Sequence, residues 1–289
     1  MLLFLLFFVA CEDGEEKDLQ SAYVVEAWIE NDGYPIVKLT RSVPVNKDNR
    51  TSIDSLENYI VKWARVTISD GDREVTLTGS MDHAYFPPYI YTTTEMKGKA
   101  GKTYTLTVYR KDEPPIVSTA TIPLNTVQLI DSFSYERISS SDTLYQVYAH
   151  VNIPSTPTTY YRLFVNTNLN LSQDFTPSFL GVLRSDMIPD GKIAVNQGRA
   201  KVVFSNLEMK NLIQNDDFTP YFSVGDTIMV RFALIDSITY NYWRSYEDML
   251  SLSRVPLFPS TTNMPMQIQG VYGFWQGWNS SYHLVTIPK

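Results

Sequence analysis

Cysteine is nearly missing from this chain. Cys11 stands alone among 289 residues, so no disulfide within one molecule can brace the fold. Histidine is almost as scarce, and His83, His150 and His283 lie far apart in sequence. A metal centre needs clustered ligands at coherent spacing, so neither a metal nor any other cofactor is expected. Basic charge is in deficit, with 24 Lys and Arg against 31 Asp and Glu and a net charge of −7. The cations are scattered rather than striped, which leaves no footprint for a phosphate backbone and argues against nucleic acid as a partner. Long apolar runs are lacking as well, since the leading run ends at Ala10 and a helix needs about 20 apolar residues to cross a bilayer. The nucleophile elbow Gly-x-Ser-x-Gly, the His-Glu-x-x-His metal motif and the phosphate-binding loop are all absent. Dispersed catalytic groups leave no sequence trace, but a non-catalytic protein is the expectation.

What is present begins with the first sixteen residues. An uncharged, almost wholly apolar stretch from Met1 closes on the small residue Ala10, Cys11 follows at once, and Glu12, Asp13, Glu15 and Glu16 come next. This is the layout of a lipoprotein signal peptide, with residues 1–10 as a cleaved export leader and Cys11 as the lipidated residue. A diacylglycerol on Cys11, joined by an amide-linked acyl chain, satisfies the two-chain requirement for stable anchoring. The bland alternative is a buried N-terminal strand. Residues 11–21 read as an acidic tether, because a charged segment without large apolar groups cannot bury enough surface to order itself. The same carboxylates, Glu12, Asp13, Glu15 and Glu16, resemble the acidic export signal that sends Bacteroidota-type lipoproteins to the outer face of the outer membrane.

From Tyr23 the pattern turns to strands. Tyr23 to Ile29 and Tyr34 to Thr40 flank the Gly-containing turn Glu30 to Gly33, and Ala64 to Ser69 and Glu74 to Thr78 flank Asp70-Gly71-Asp72-Arg73. Both read as hairpins. Pro87 and Pro88 lack ladder donors, so Tyr85 to Tyr91 is expected at an edge or in a loop. With Tyr104 to Val108 and Ile116 to Ile122 added, about seven short strands over residues 22–123 predict an immunoglobulin-like β-sandwich.

Residues 124–289 predict a second β-rich domain. Strands are expected at Leu129 to Arg137, Leu144 to Ile153, Tyr160 to Val165, Ala200 to Phe204, Asp226 to Ile235 and His283 to Ile287. A helical turn is expected at Glu208 to Gln214, and the polar, aromatic-dotted stretch Asn166 to Asp190 reads as a surface loop. One helix is convincing, near 237–251, where Ile238, Tyr242, Tyr246, Met249 and Leu250 recur at three- and four-residue spacing. The fold class is therefore mainly β, a sandwich followed by a β-rich domain with one packing helix.

Val24 to Ile29, Ala64 to Gly71, Gly98 to Val108, Tyr240-Asn-Tyr-Trp-Arg-Ser245 and Gly273-Phe-Trp275 occur in an order and spacing that resembles domain-of-unknown-function family 4249, lipoproteins of Bacteroidota. The resemblance covers nearly the whole chain after the leader. It implies an outer-membrane lipoprotein facing the cell exterior and acting as an accessory of a TonB-dependent receptor barrel in nutrient uptake. It supplies no catalytic residues.

Two further features invite functional readings. Tyr272, Trp275 and Trp278, interleaved with Gly270, Gly273 and Gly277, are candidate binding aromatics for a sugar or a protein partner. Their bland reading, shared with Phe274, is a core plug. Four Asp-Ser/Thr-aliphatic triplets resemble an O-glycosylation pattern, starting at Asp54, Asp142, Asp226 and Asp236. Only Ser55, in a polar loop, is a candidate for modification, since Asp226 and Asp236 also suit the capping of a strand or helix. The functional alternatives are a receptor accessory, an independent carbohydrate- or peptide-binding module and, more remotely, a hydrolase.

Overall fold

Local alternation builds the first lobe. The computed structural model describes residues 22–42, 57–85, 87–124, 130–152, 157–167, 169, 175–198, 219–252 and 265–289. Strand β1 (Tyr23–Glu30) buries Val25, Ala27 and Ile29 on one face, the two-residue period of a pleated strand. It pairs antiparallel with β2 (Ile36–Arg41), as the first predicted hairpin requires. The second hairpin is also as expected: β3 (Arg65–Ser69) and β4 (Glu74–Met81) pair with Ile68 opposite Val75 and Val66 opposite Leu77. Asp70 makes that turn, accepting hydrogen bonds from the backbone N–H groups of Asp72 and Arg73.

Strand β4 belongs to both layers of this lobe. Its first half pairs with β3, and its second half, from Thr78, pairs with β5 (Tyr89–Thr92). Strands β6 (Thr103–Arg110) and β7 (Glu113–Thr121) extend the β3 side. The layers close over Val25, Leu39, Val66, Ile68, Tyr91 and Leu106. Each such fully buried aliphatic stabilises the fold by about 1.5–3 kcal/mol relative to exposure. Strand β5 corrects the edge expected from Pro87 and Pro88. It lies between β2 and β4 with Tyr89, Ile90 and Tyr91 buried, because the prolines precede the strand and take no ladder position.

The second lobe is also two layers. Strand β10 (Tyr160–Asn166) lies between β11 (Thr176–Arg184) and β14 (Thr227–Ile235). The facing sheet pairs β9 (Leu144–Val151) with β8 (Ile130–Arg137), β12 (Lys192–Val195) and β13 (Phe222–Ser223). Val147, Ala149, Tyr161, Leu163, Ile228 and Phe232 fill the space between. Strand β11 replaces part of the loop expected over Asn166 to Asp190. Its alternation is hidden by a register shift against β10 and by Leu180, which has φ 56°. The strand at Ala200 to Phe204, the turn at Glu208 to Gln214, Asn125 and most of the loop Asn46 to Asn58 lie outside the described residues.

The helix α1 (Ser237–Leu252) packs on the outer face of the β10–β14 sheet. Asp236 caps it, its Oδ1 accepting the Thr239 N–H at 2.7 Å. The buried stripe keeps Tyr242 and Tyr246 of the predicted one and departs from it at Ile238, while the side chains of Met249 and Leu250 lie outside those described. Thr239 and Trp243 are buried, with Tyr242 and Tyr246 half-buried, whereas Ile238 is 63% exposed. The aromatic sheet face selects the ring of Trp243, and that turns Ile238 outward. Among the described residues no helix is long and apolar enough to cross a membrane.

One strand joins the lobes. The first half of β15 (Tyr272–Thr286) runs parallel to β1, with Val24 opposite Tyr272 and Glu30 opposite Trp278. Its second half pairs antiparallel with β14, from Leu234 opposite Asn279 to Thr227 opposite Thr286. Residues 272–278 are therefore built into the N-terminal lobe while 279–286 complete the C-terminal one, and strand pairing runs unbroken from β11 to β7. Gly273 makes the parallel pairing possible. It has φ 107°, and a Cβ there would sit 1.8 Å from the Val25 carbonyl oxygen.

Candidate functional site

Because β15 is covered on both faces from Phe274 to Trp278, alternate residues of that stretch meet two different interiors. Trp275 enters the first-lobe core, is 3% exposed and donates its indole N–H to the Tyr104 carbonyl at 3.1 Å. Phe274 and Trp278 point to the other side, against α1 and β10. Trp278, also 3% exposed, stacks on Trp28 with ring centroids 5.4 Å apart. The expected aromatic platform is thus corrected: Trp275 and Trp278 are core residues, and only Tyr272, 58% exposed, faces solvent. The glycines between them serve close strand approach rather than ligand access.

Glu30 and Arg231 are buried at this junction, whereas Tyr282 is 51% exposed and Arg231 Nε has no hydrogen-bond partner. Arg231 on β14 donates from Nη1 to Glu30 Oε1 at 3.0 Å, and the Tyr282 hydroxyl donates to Glu30 Oε2 at 2.7 Å. The guanidinium also lies over Phe164, Phe175 and Trp278, at 4.0, 4.7 and 5.0 Å from their ring centroids. Burial, then the Glu30 carboxylate, pushes the Tyr282 phenol up; burial, then Asp82 and Glu30, pushes Tyr85 up to about 12. One strand away, Arg162 Nη1 donates to Glu247 Oε1 at 2.6 Å. Burial lowers the first group's pKa and raises the second's, and each charge opposes that trend in its partner.

A second relay leads from the core to the surface. Trp243 and Trp278 both donate indole N–H bonds to Gln276 Oε1, at 3.0 and 3.1 Å. Indoles only donate, so the Gln276 amide must present its oxygen to them and its NH₂ elsewhere. That NH₂ donates to Gln267 Oε1 at 3.0 Å, and the Gln267 NH₂ donates to the Ile238 carbonyl at 3.1 Å. The outer end of the relay, Gln267 and Ile238, lines an open cleft of about 360 Å³ where α1 begins beside β7. Val117, Ser118, Thr119, Asp236, Gln267 and Gln269 line it, with an edge of Trp275 beneath. The volume lies at the small end of the ligand-pocket range, and the lining offers amide and hydroxyl groups around one indole. Sequence reasoning missed this cleft, because its residues come from three distant segments. The nearest signal was Asp236, which was read as a cap.

The remaining candidates are dispersed. Cys11, Glu12, Asp13, Glu15, Glu16 and Ser55 lie outside the described residues. Asp226 accepts the Ser223 N–H at 2.9 Å and so closes the turn before β14. His150 Nε2 lies 2.7 Å from Ser134 Oγ on the outer face of the β8–β9 pair, but neither residue lines the cleft. His283 sits beside Ser281 with its pKa lowered by burial. Among the described residues, no group of three or more His, Cys, Asp or Glu is placed to hold a metal ion.

The architecture defines a two-lobed β-sandwich protein whose lobes share a strand. The chain belongs to the family described as Domain of unknown function (DUF4249), whose model matches residues 13–282. No curated protein matches it.

Proposed function

We propose that this protein is an outer-membrane lipoprotein, held by acyl chains on Cys11 and facing the cell exterior, that acts as a non-catalytic accessory or docking subunit of a TonB-dependent uptake receptor. The observation that carries the reading is the join between the lobes. A shared strand, the buried Glu30–Arg231 pair and the Tyr282 hydroxyl's bond to Glu30 hold both sandwiches as one body. Such a body suits the presentation of loops to a neighbour and gives little scope for a lid that closes over a reaction. The apolar leader ending at Ala10–Cys11 supports the anchor. Affinity capture from detergent-solubilised outer membranes should recover a barrel protein in stoichiometric amount. Recovery of the protein alone would defeat the docking role, and failure of labelled palmitate to enter residue 11 would defeat the anchor.

The cleft favours one second reading, an independent carbohydrate- or peptide-binding module. Its amide and hydroxyl lining around the Trp275 edge suits sugar hydroxyls or a peptide backbone. Glycan and peptide arrays probed with the wild-type chain and with Gln269→Ala test it. Identical array patterns for the two would exclude the cleft as the site.

A further inference from the structure

The end of the first lobe where the chain enters carries an exposed indole on a pinned loop. Trp63 is 95% exposed, yet the backbone on both sides is held. The Tyr91 hydroxyl donates to the Val61 carbonyl at 2.7 Å and accepts the Ala64 N–H at 3.0 Å, while the Tyr89 hydroxyl donates to the Lys62 carbonyl at 2.8 Å. The Val61 N–H donates to the Leu39 carbonyl at 3.0 Å, fixing this loop beside the end of β2. Four backbone hydrogen bonds around one outward indole make its exposure a feature of the fold rather than of a frayed end.

Cations and further aromatics surround it. Tyr23 pairs with Arg41, and the Arg41 guanidinium lies 3.6 Å from the Tyr23 ring centroid. Arg110, ion-paired to Glu113, approaches the same ring at 5.7 Å. Arg65 pairs with Tyr109 across β3 and β6 and lies 4.4 Å from its ring. Tyr272, opposite Val24 on the other side of β1, is exposed at this same end.

We propose that this pole, centred on Trp63 with Arg65, Arg41, Tyr109 and Tyr272, is a lipid-apposition surface that seats on anionic lipid headgroups. Trp and Tyr concentrate at membrane–water interfaces, where an apolar ring with one polar edge fits the headgroup level, and adjacent cations add attraction to anionic lipid. The position of the anchor selects lipid over other occupants. Cys11 lies eleven residues before Ala22, a span that covers no more than about 40 Å in any conformation, so this pole is held close to any membrane that takes the acyl chains. The surface deepens the anchored reading, and its placement in the cell rests on that reading.

The test uses the unlipidated mature-length chain, residues 11–289 with Cys11→Ala, and flotation with phosphatidylcholine vesicles with and without roughly one-third phosphatidylglycerol. Binding is expected to the anionic vesicles, to weaken as salt rises, and to carry a blue shift of tryptophan emission. Trp63→Ala combined with Arg65→Gln should weaken binding by about tenfold or more, Trp63→Phe should retain part of it, and Tyr34→Ala, at the far end of the β1–β2 hairpin, should leave it unchanged. Anionic-vesicle binding that survives the double substitution overturns the proposal, as does no binding by the parent chain. If the parent ignores vesicles and Trp63→Ala instead abolishes capture of a barrel partner, the pole is a protein contact and the lipid assignment fails. Palmitate failing to label residue 11 while this chain still floats would remove the anchor and leave the surface standing.

Discussion

The Arg231 guanidinium meets the Glu30 carboxylate at 3.0 Å across a separation of 201 residues, at the buried seam where the two sandwiches join. Three aromatic rings surround the guanidinium, and the Tyr282 hydroxyl occupies the second oxygen of Glu30. Little solvent remains to compensate either charge if its partner is lost.

Arg231→Ala is therefore expected to destabilise the protein by about 3–5 kcal/mol, because it strands a buried carboxylate. Replacing Glu30, Arg231 and Tyr282 together by Leu, Met and Phe should recover most of that loss, since desolvation of the charges disappears with them. Denaturant unfolding of the two variants measures both effects. Equal losses in the single and triple variants would mean that packing, not charge, dominates the seam.

Gly273→Ala should cost at least about 2 kcal/mol. The added Cβ meets the Val25 carbonyl at 1.8 Å, and the positive φ adds strain of its own. Gly270→Ala is the control, with φ 73° but open space around the new atom. It should cost about 1 kcal/mol. Because β15 belongs to both lobes, Gly273→Ala should move a single cooperative transition rather than split it, as calorimetry would show.

Trp275→Ala should cost about 3–5 kcal/mol, the loss for a core indole. Tyr272→Ala should change stability by no more than about 0.5 kcal/mol. Thermal unfolding distinguishes the two. A surface platform would have made both changes nearly neutral.

Acid stability should depend on the Asp70 turn. The Lys102 ammonium, 2.9 Å from Asp70 Oδ2, together with the backbone N–H groups of Arg73 and Asp72, holds the carboxyl at about 2, below its usual value of 3.8. A carboxyl lowered on folding contributes stability that is full above its unfolded pKa and is lost as pH falls through the folded one. The contribution should fade between about pH 4 and pH 2. Asp70→Asn should flatten the stability profile in that window and leave its shape near neutrality unchanged. Solvent access to the turn keeps the effect modest.

What was legible in the sequence was local. The β1–β2 and β3–β4 hairpins could be read because alternation and a Gly turn lie within a few residues of each other. Strand β11 could not, since a bulge and a positive φ at Leu180 break its period. The helix was legible, and so were Tyr242 and Tyr246 on its packed face, but the pattern took Ile238 and passed over Trp243, and only the aromatic floor beneath distinguishes them. The Tyr272 to Trp278 segment was ambiguous in principle. Aromatics spaced by glycine suit an open platform and a doubly covered strand equally, and the partner strand that decides it, β1, lies some 250 residues earlier in the chain. The cleft was invisible for the same reason, being assembled from β7, the start of α1 and the segment around Gln267.

The shared strand also constrains how the molecule comes into being. Neither sandwich can finish its sheet until residues 272–286 have been delivered, so a nascent chain remains incompletely folded until that segment is made. Late closure of this kind leaves both sheets open until β15 pairs, then commits both halves at once.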